Sequence, residues 1–266
     1  MRQPRYPIST EPGIADRVVL RVGVTPMRCP SCGHVGLARG FSENLRETGR
    51  CGACGATNRN RQVALLACRA ASELSGRRVR DLPALRETGL VVYNTEAQGA
   101  LHDQLKAMPH YLCSEYLGPD HVPGEVVGAT VHEDLTELSF DDGGIDLVLS
   151  SDVLEHVPDP YRAHREVHRV LRAGGRHVFT VPFHQHAHLD DVRARPGPDG
   201  EPELLAPPIY HDDPVRPEGV LVYTIFGLAM LVELARIGFD TRMYRLAEPW
   251  HGILGPNALV FEAVKV

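Results

Sequence analysis

The spacing of apolar positions divides the chain at about residue 88. Upstream, residues 1–25 are Pro-rich and weakly patterned, which reads as a surface arm with an edge strand over 17–24. Residues 26–57 carry no apolar period. Cys, Gly and short polar turns dominate there, and such a segment needs a staple because it cannot build a core of its own. Val63, Ala67, Ala70 and Leu74 then recur at helical spacing, and 77–88 reads as a connector, so 58–88 forms a helical linker.

Downstream the pattern alternates. Short apolar runs at 90–93, 111–114, around Val131, 145–150 and 176–181 predict five strands, the third ending at Asp134. Helices fall between them. One carries Leu101, Leu105 and Met108; another carries Ala163, Val167, Val170 and Leu171 and is closed by Gly174-Gly175. Strands alternating with helices predict an α/β domain, a mainly parallel sheet covered on both faces. A helix over 226–237 precedes two strands, 241–246 and 258–264, whose short separation predicts antiparallel pairing. The domain spans 89–266, and a Pro-, His- and Asp-rich insertion at 184–222 interrupts it.

Composition narrows the class. A chain of 266 residues that is 43% hydrophobic can bury a sizeable core, which excludes wholesale disorder. The longest apolar run, 228–234, is far too short to span a bilayer and contains Glu233, and residues 1–8 lack an apolar signal core. No membrane partner and a cytoplasmic location are the expectations. A net charge of -6 argues against nucleic-acid binding through a broad basic surface. Arg59, Arg61, Arg77, Arg78 and Arg80 form a local basic group that reads as a solvated helix face.

Four of the six cysteines fall in two pairs, Cys29-x-x-Cys32 and Cys51-x-x-Cys54, 18 residues apart. Each pair can present two thiolates to one tetrahedral ion from a tight turn, with Gly33 and Gly55 permitting the bend. Four thiolates leave no open position, so the expectation is a structural Zn2+ in a small ribbon over 26–57. A redox role for either pair is weakened by the presence of the other. Cys68 and Cys113 sit in helical and strand patterns and read as core residues.

In a parallel sheet the ligand lies at the carboxyl ends of the strands, where the strand order reverses. Glu96 follows the first strand in Asn94-Thr95-Glu96-Ala97-Gln98-Gly99. Glu115, followed by Tyr116, ends the second and can accept from two ribose hydroxyls. Asp134, followed by Leu135, ends the third within reach of an adenine amino group. Together they point to an adenosyl cofactor, although each alone is a common solvated cap.

The segments His132-Glu133-Asp134-Leu135, Ile145-Asp146-Leu147-Val148, Asp152-Val153-Leu154-Glu155-His156-Val157 and Arg169-Val170-Leu171-Arg172-Ala173-Gly174-Gly175 resemble class I S-adenosylmethionine-dependent methyltransferases of the methyltransferase-11 type. The resemblance covers about residues 88–182. The cysteine knuckles followed by Asn58-Arg59-Asn60-Arg61 are similar to a bacterial subgroup with an N-terminal ribbon. It implies a Rossmann-like seven-stranded sheet, S-adenosylmethionine as cofactor, and contacts from Asn94, Thr95, Glu96, Gly99, Glu115, Tyr116, Asp134, Leu135, Ser151 and Asp152. The family's Gly-rich turn after the first strand is reduced here to Gly99, and Glu96 fits the short motif ending in Glu that replaces it in the subgroup, where it would pair with the cofactor's ammonium group.

Methyl transfer to a hydroxyl requires alignment and proton removal. The insertion offers His184, His186 and His188, then Tyr210-His211-Asp212-Asp213, with His184 or His186 preferred as general base. In some methyltransferases a Glu-x-x-Glu-His run binds a divalent metal. Asp152, Glu155 and His156 resemble it with Asp in the first place, which with an insertion histidine implies an oxygen-rich Mg2+ or Mn2+ site; packing and helix capping are the commoner use of such a pair. The expected partner is a small-molecule acceptor, a sugar or secondary metabolite. RNA or protein acceptors, and a non-catalytic ribbon-bearing interaction protein, are the alternatives.

Overall fold

The computed structural model describes residues 13–197, 201–211, 219–256 and 258–266. Most of the expected arm, residues 1–12, lies outside these. The segment expected as an edge strand is instead helix α1, Ile14–Val22, leading into strand β1, Val24–Arg28. Its β-branched run favours a strand, but both helix ends are specified. The Asp16 carboxylate accepts from Gly13 N–H at 2.8 Å, and Gly23 adopts φ 70° with its N–H on Val19 O.

β1, β2 (Val35–Arg39) and β3 (Arg50–Cys51) form an antiparallel sheet that carries the four cysteines. Helix α2, Asn58–Ser75, follows. Thr57 caps it, receiving the Asn60 N–H, while Asn60 Oδ1 accepts the Thr57 N–H. Val63, Ala67 and Ala70 are buried as their spacing predicts. Arg77, Arg78 and Arg80 are exposed, but the solvated-face reading fails at Arg61, which is fully buried, and at Arg59, which is half-buried.

The main sheet is built from β4 (Val92–Asn94), β5 (Tyr111–Cys113), β6 (Ile145–Ser151), β7 (Leu171–Thr180), β8 (Phe239–Arg245) and β9 (Leu259–Lys265). Its order is β8-β9-β7-β6-β4-β5; β5, β4, β6 and β7 are parallel, and β9 and β8 add antiparallel. Six strands are present among the described residues, not seven. Where a third strand was expected, a short hairpin pairs Val126–Val127 with Thr130–Val131, and a single parallel bridge joins Glu115 to His132. Only His132, Glu133 and Leu135 of this stretch are buried, too little apolar surface to continue the ladder.

Helices α3 (Gly99–Leu105), α4 (Pro160–Val170) and α5 (Ala229–Ile237) flank the sheet. One core cluster joins α2 and α3 to one face through Leu66, Leu101, Leu147 and Val260; the other joins α4 and α5 to the opposite face through Val167, Phe179, Phe226 and Phe261. The sheet is thus buried on both sides. The insertion is not a loose loop where described. It contains two antiparallel pairs, Ala194–Pro196 with Pro202–Leu204 and Tyr210–His211 with Val220–Leu221, and its Asp191–Val192 pairs with Thr224–Ile225 just beyond it. No described helix is long and apolar enough to cross a membrane.

Candidate functional site

From β4 the chain runs outward to β5, then returns across β4 to β6. This reversal opens a crevice above the carboxyl ends of β4, β5 and β6. A cleft of about 2100 Å³ lies there, lined by Thr95, Glu96, Gly99, Glu115, Tyr116, Asp134, Leu135, Ser151, Asp152 and His184. Small-molecule pockets commonly enclose about 300–1,000 Å³, so this one has room for two ligands side by side. Asn94 stands behind the wall, its Nδ2 donating to Glu96 O at 2.7 Å and so fixing the turn. His186 is exposed and does not line the cleft. Asp212 and Asp213 lie outside the described residues.

The turn after β4 is held without the usual glycines. Thr95 N–H donates to Leu149 O on β6 at 3.0 Å, and Ala97 N–H donates to Glu115 Oε1 at 2.9 Å. Gly99, at φ 87°, has open space where a side chain would point. Asn94 Oδ1 and Thr95 Oγ1 are buried without a hydrogen-bond partner, a costly arrangement unless a ligand supplies one. Burial pushes the Glu96 carboxyl up to about 7; Arg59 opposes this, while Glu115, Asp152 and Glu155 reinforce it. Asp134 is less available than its position suggests, because Oδ1 already accepts from Thr136 N–H and Oγ1.

Two arginines that the spacing of motifs did not reveal as site residues reach the same corner. Arg46, in the loop between β2 and β3, grips the Asp152 carboxylate through both guanidinium nitrogens at 2.5 and 2.6 Å. Arg59, at the start of α2, donates to Ser151 O and Oγ at 2.9 and 2.6 Å, and its Nε lies 3.5 Å from Asp152. Glu47 bridges the two guanidinium groups. Burial works against ionisation of Asp152, but Arg59 and Arg46 more than offset it and hold the carboxyl well below the usual range. Asp152 is also the one non-glycine residue with positive φ among those described, at 56°. The expected Asp152, Glu155 and His156 metal set therefore loses Asp152 to its arginines. His211 takes that place, so that one donor atom each from Glu155, His156 and His211 lies within 4.8 Å of the others.

The four cysteines converge. Sγ of Cys29 lies 3.9 Å from that of Cys54, Sγ of Cys32 is 3.9 Å from that of Cys51, and all four fall within 4.8 Å of one another. Thiolates about 2.3 Å from a tetrahedral zinc stand roughly 3.8 Å apart, so the donor set fits such an ion and is far too wide for disulfides. Arg61 locks this module to the rest. It donates to Gly49 O and Ala56 O in the ribbon, each at 2.6 Å, and to Gly252 O near the C-terminal hairpin at 2.7 Å. Gly252 has φ 65°, and a Cβ there would meet Met27 Sδ at 2.7 Å.

Residues 101–179 match the methyltransferase domain family of the methyltransferase-11 kind. An uncharacterized methyltransferase of Mycobacterium sp. (strain KMS) is 44% identical over 85 residues, 27% of this chain and 34% of that protein. Sarcosine/dimethylglycine N-methyltransferase of Halorhodospira halochloris is 46% identical over 66 residues, 25% and 22% respectively. The chain thus spans about a third of the length of the first of these curated relatives. Among solved structures, 1,6-didemethyltoxoflavin-N1-methyltransferase of Burkholderia thailandensis is similar at 18% identity, covering 76% of this chain and 80% of its own, with a TM-score of 0.41. An S-adenosylmethionine-dependent methyltransferase of Mesorhizobium loti is 20% identical over 69% of this chain and 96% of its own, at a TM-score of 0.39. Glu115 and Asp152 both fall within the matched segment 101–179.

Proposed function

We propose that this protein is an S-adenosylmethionine-dependent methyltransferase that modifies a hydroxyl of a small molecule, with a structural zinc in its cysteine module. The observation that carries the reading is the convergence of Glu96, Glu115 and Ser151-Asp152, from three adjacent parallel strand ends, on one cleft. The methyltransferase match over 101–179 supports it independently. Glu115, beside the turn after β4, takes the ribose hydroxyls. Glu96 takes the ammonium of the methionyl arm, and Arg59 lies close enough to Glu96 to stabilise its charged form. Leu135, buried at the cleft wall, offers an apolar surface to adenine, with Asp134 beside it.

The bound cofactor supplies an electrophilic methyl group. What remains for the protein is to align an acceptor and remove its proton. His184, on the cleft wall just after β7, is the proposed general base; His186, outside the cleft, is not. Tyr210 and His211 of the insertion, with Tyr223 just after it, line the same space and would bound the acceptor.

Calorimetric titration with S-adenosylmethionine and S-adenosylhomocysteine tests the cofactor reading. Micromolar binding is expected, weakened tenfold or more, about 1.4 kcal/mol, by Glu96→Ala or Glu115→Ala. A folded, zinc-loaded sample that binds neither ligand, with or without candidate acceptors, would overturn it. Metal analysis tests the zinc: one equivalent per chain is expected, lost in Cys51→Ser.

A further inference from the structure

We propose that Glu155, His156 and His211 form a second metal site, specific for a first-row divalent cation, on the wall of the cleft. The three come together through the insertion. The hairpin pairing Tyr210–His211 with Val220–Leu221 lays the His211 ring against that of His156, with centroids 5.0 Å apart and edge to face. The returning strand fixes the other two. His156 Nδ1 donates to Leu221 O at 2.8 Å, which leaves Nε2, 3.8 Å from Glu155 Oε1, as the ring nitrogen that would ligate a metal. Tyr223 N–H donates to Glu155 O at 2.7 Å and pins the turn over Leu154–His156.

Glu155 is fully buried, and among the described residues neither carboxylate oxygen is satisfied by a hydrogen bond of normal geometry. The nearest cationic candidates are His211 Nδ1 at 3.5 Å and His156 Nε2 at 3.8 Å from Oε1. A buried carboxylate held only by two imidazole rings at that range is costly for a fold to retain. A cation about 2.1 Å from each donor needs those donors roughly 3.0–3.5 Å apart; Glu155 Oε1 already lies 3.5 and 3.8 Å from the two ring nitrogens, and all three donors fall within 4.8 Å of one another. Two imidazoles and one carboxylate suit Mn2+, Fe2+, Co2+ or Zn2+ better than Mg2+, which prefers oxygen donors. Three protein ligands leave positions open. His156 and His211 line the cleft, so those positions face the space assigned above to the acceptor. Oxygen pairs such as a vicinal diol or a carboxylate would fill them. This last role rests on the methyltransferase reading; the metal site itself does not.

The test is titration of zinc-loaded protein with Co2+ and Mn2+ in the absence of S-adenosylmethionine. Visible absorption of Co2+ and loss of the free Mn2+ paramagnetic resonance signal report binding. One further equivalent is expected, its Co2+ spectrum lacking thiolate charge transfer, which separates it from the cysteine site. Glu155→Gln and His211→Ala should each weaken binding at least tenfold while zinc content and circular dichroism stay unchanged. His211, half-exposed on a hairpin, is the variant that decides if Glu155→Gln fails to fold. No second equivalent in the wild type, or wild-type affinity in folded His211→Ala, would overturn the site. Because no cofactor is present, failure here leaves the cofactor reading untouched.

Discussion

Glu96 is half-buried at the floor of a cleft whose charged groups include Arg46, Arg59, Glu47, Glu115, Asp134 and Asp152. With its carboxyl near 7, it is largely protonated below neutrality and largely ionised above it. Only the ionised form attracts an ammonium group, so cofactor binding must release a proton at low pH and tighten as pH rises. Between pH 8 and pH 6, S-adenosylmethionine affinity should fall about tenfold, a slope that Glu96→Gln abolishes while lowering affinity throughout. Calorimetry in two buffers of different ionisation enthalpy would count the proton directly. Glu96 and Glu115 were legible in the sequence because position at a strand end is a local property. Arg46 was not: it meets Asp152 across 106 residues, and no spacing rule reaches that far.

At the scale of elements, α2 joins the cysteine module to the sheet domain. Its Arg61 is fully buried, and desolvation lowers its pKa only to about 10, so it stays charged at neutral pH while three carbonyls from two other segments compensate it. Arg61→Met would strip those acceptors at about 1–3 kcal/mol each, and a loss of at least ~3 kcal/mol is expected in urea denaturation. Arg61→Lys should recover only part of it, because a single ammonium cannot reproduce the planar fork. The helical period of α2 was readable. The burial of Arg59 and Arg61 was not, since both look like solvent residues until the ribbon, the end of β6 and Gly252 close over them. The third strand failed for the opposite reason: Val131 carries strand propensity, but too little burial surrounds it to extend the ladder.

For the molecule as a whole, acid stability is set in part by two histidines inside the sheet-α4 core. His164 and His177 are fully buried with ring centroids 5.6 Å apart, and burial depresses both, His164 to about 3. The unfolded chain takes up a proton at each near 6.5, whereas the folded one does not. Unfolding therefore gains protons below that pH, and stability falls at about 1.4 kcal/mol per unit for His164 alone. Urea titrations at pH 7.5 and 5.5 should show the wild type losing about 1.4 kcal/mol more than His164→Leu. The α/β alternation, the terminal antiparallel pair and the cysteine spacing were all visible in the sequence because each repeats a local rule. The way the insertion folds back on β6, bringing Leu221 to His156 across 65 residues, is a long-range outcome of packing.

The grip of Arg46 on Asp152 would tie together the two ligands proposed above, which never touch. Arg46 lies between Cys32 and Cys51, so an ion in the cysteine cluster would hold the loop from which it reaches, and Asp152, just after β6, lies at the proposed cofactor site. On the proposed function zinc and S-adenosylmethionine would then be thermodynamically linked, and linkage is reciprocal: the factor by which zinc raised cofactor affinity would be the factor by which the cofactor raised zinc affinity. Chelator-driven zinc release, followed with a colorimetric dye, should slow when S-adenosylmethionine is present. In Arg46→Ala the two should become independent, with zinc release indifferent to the cofactor. In the cell, such a protein would resist zinc scarcity best when its cofactor is abundant.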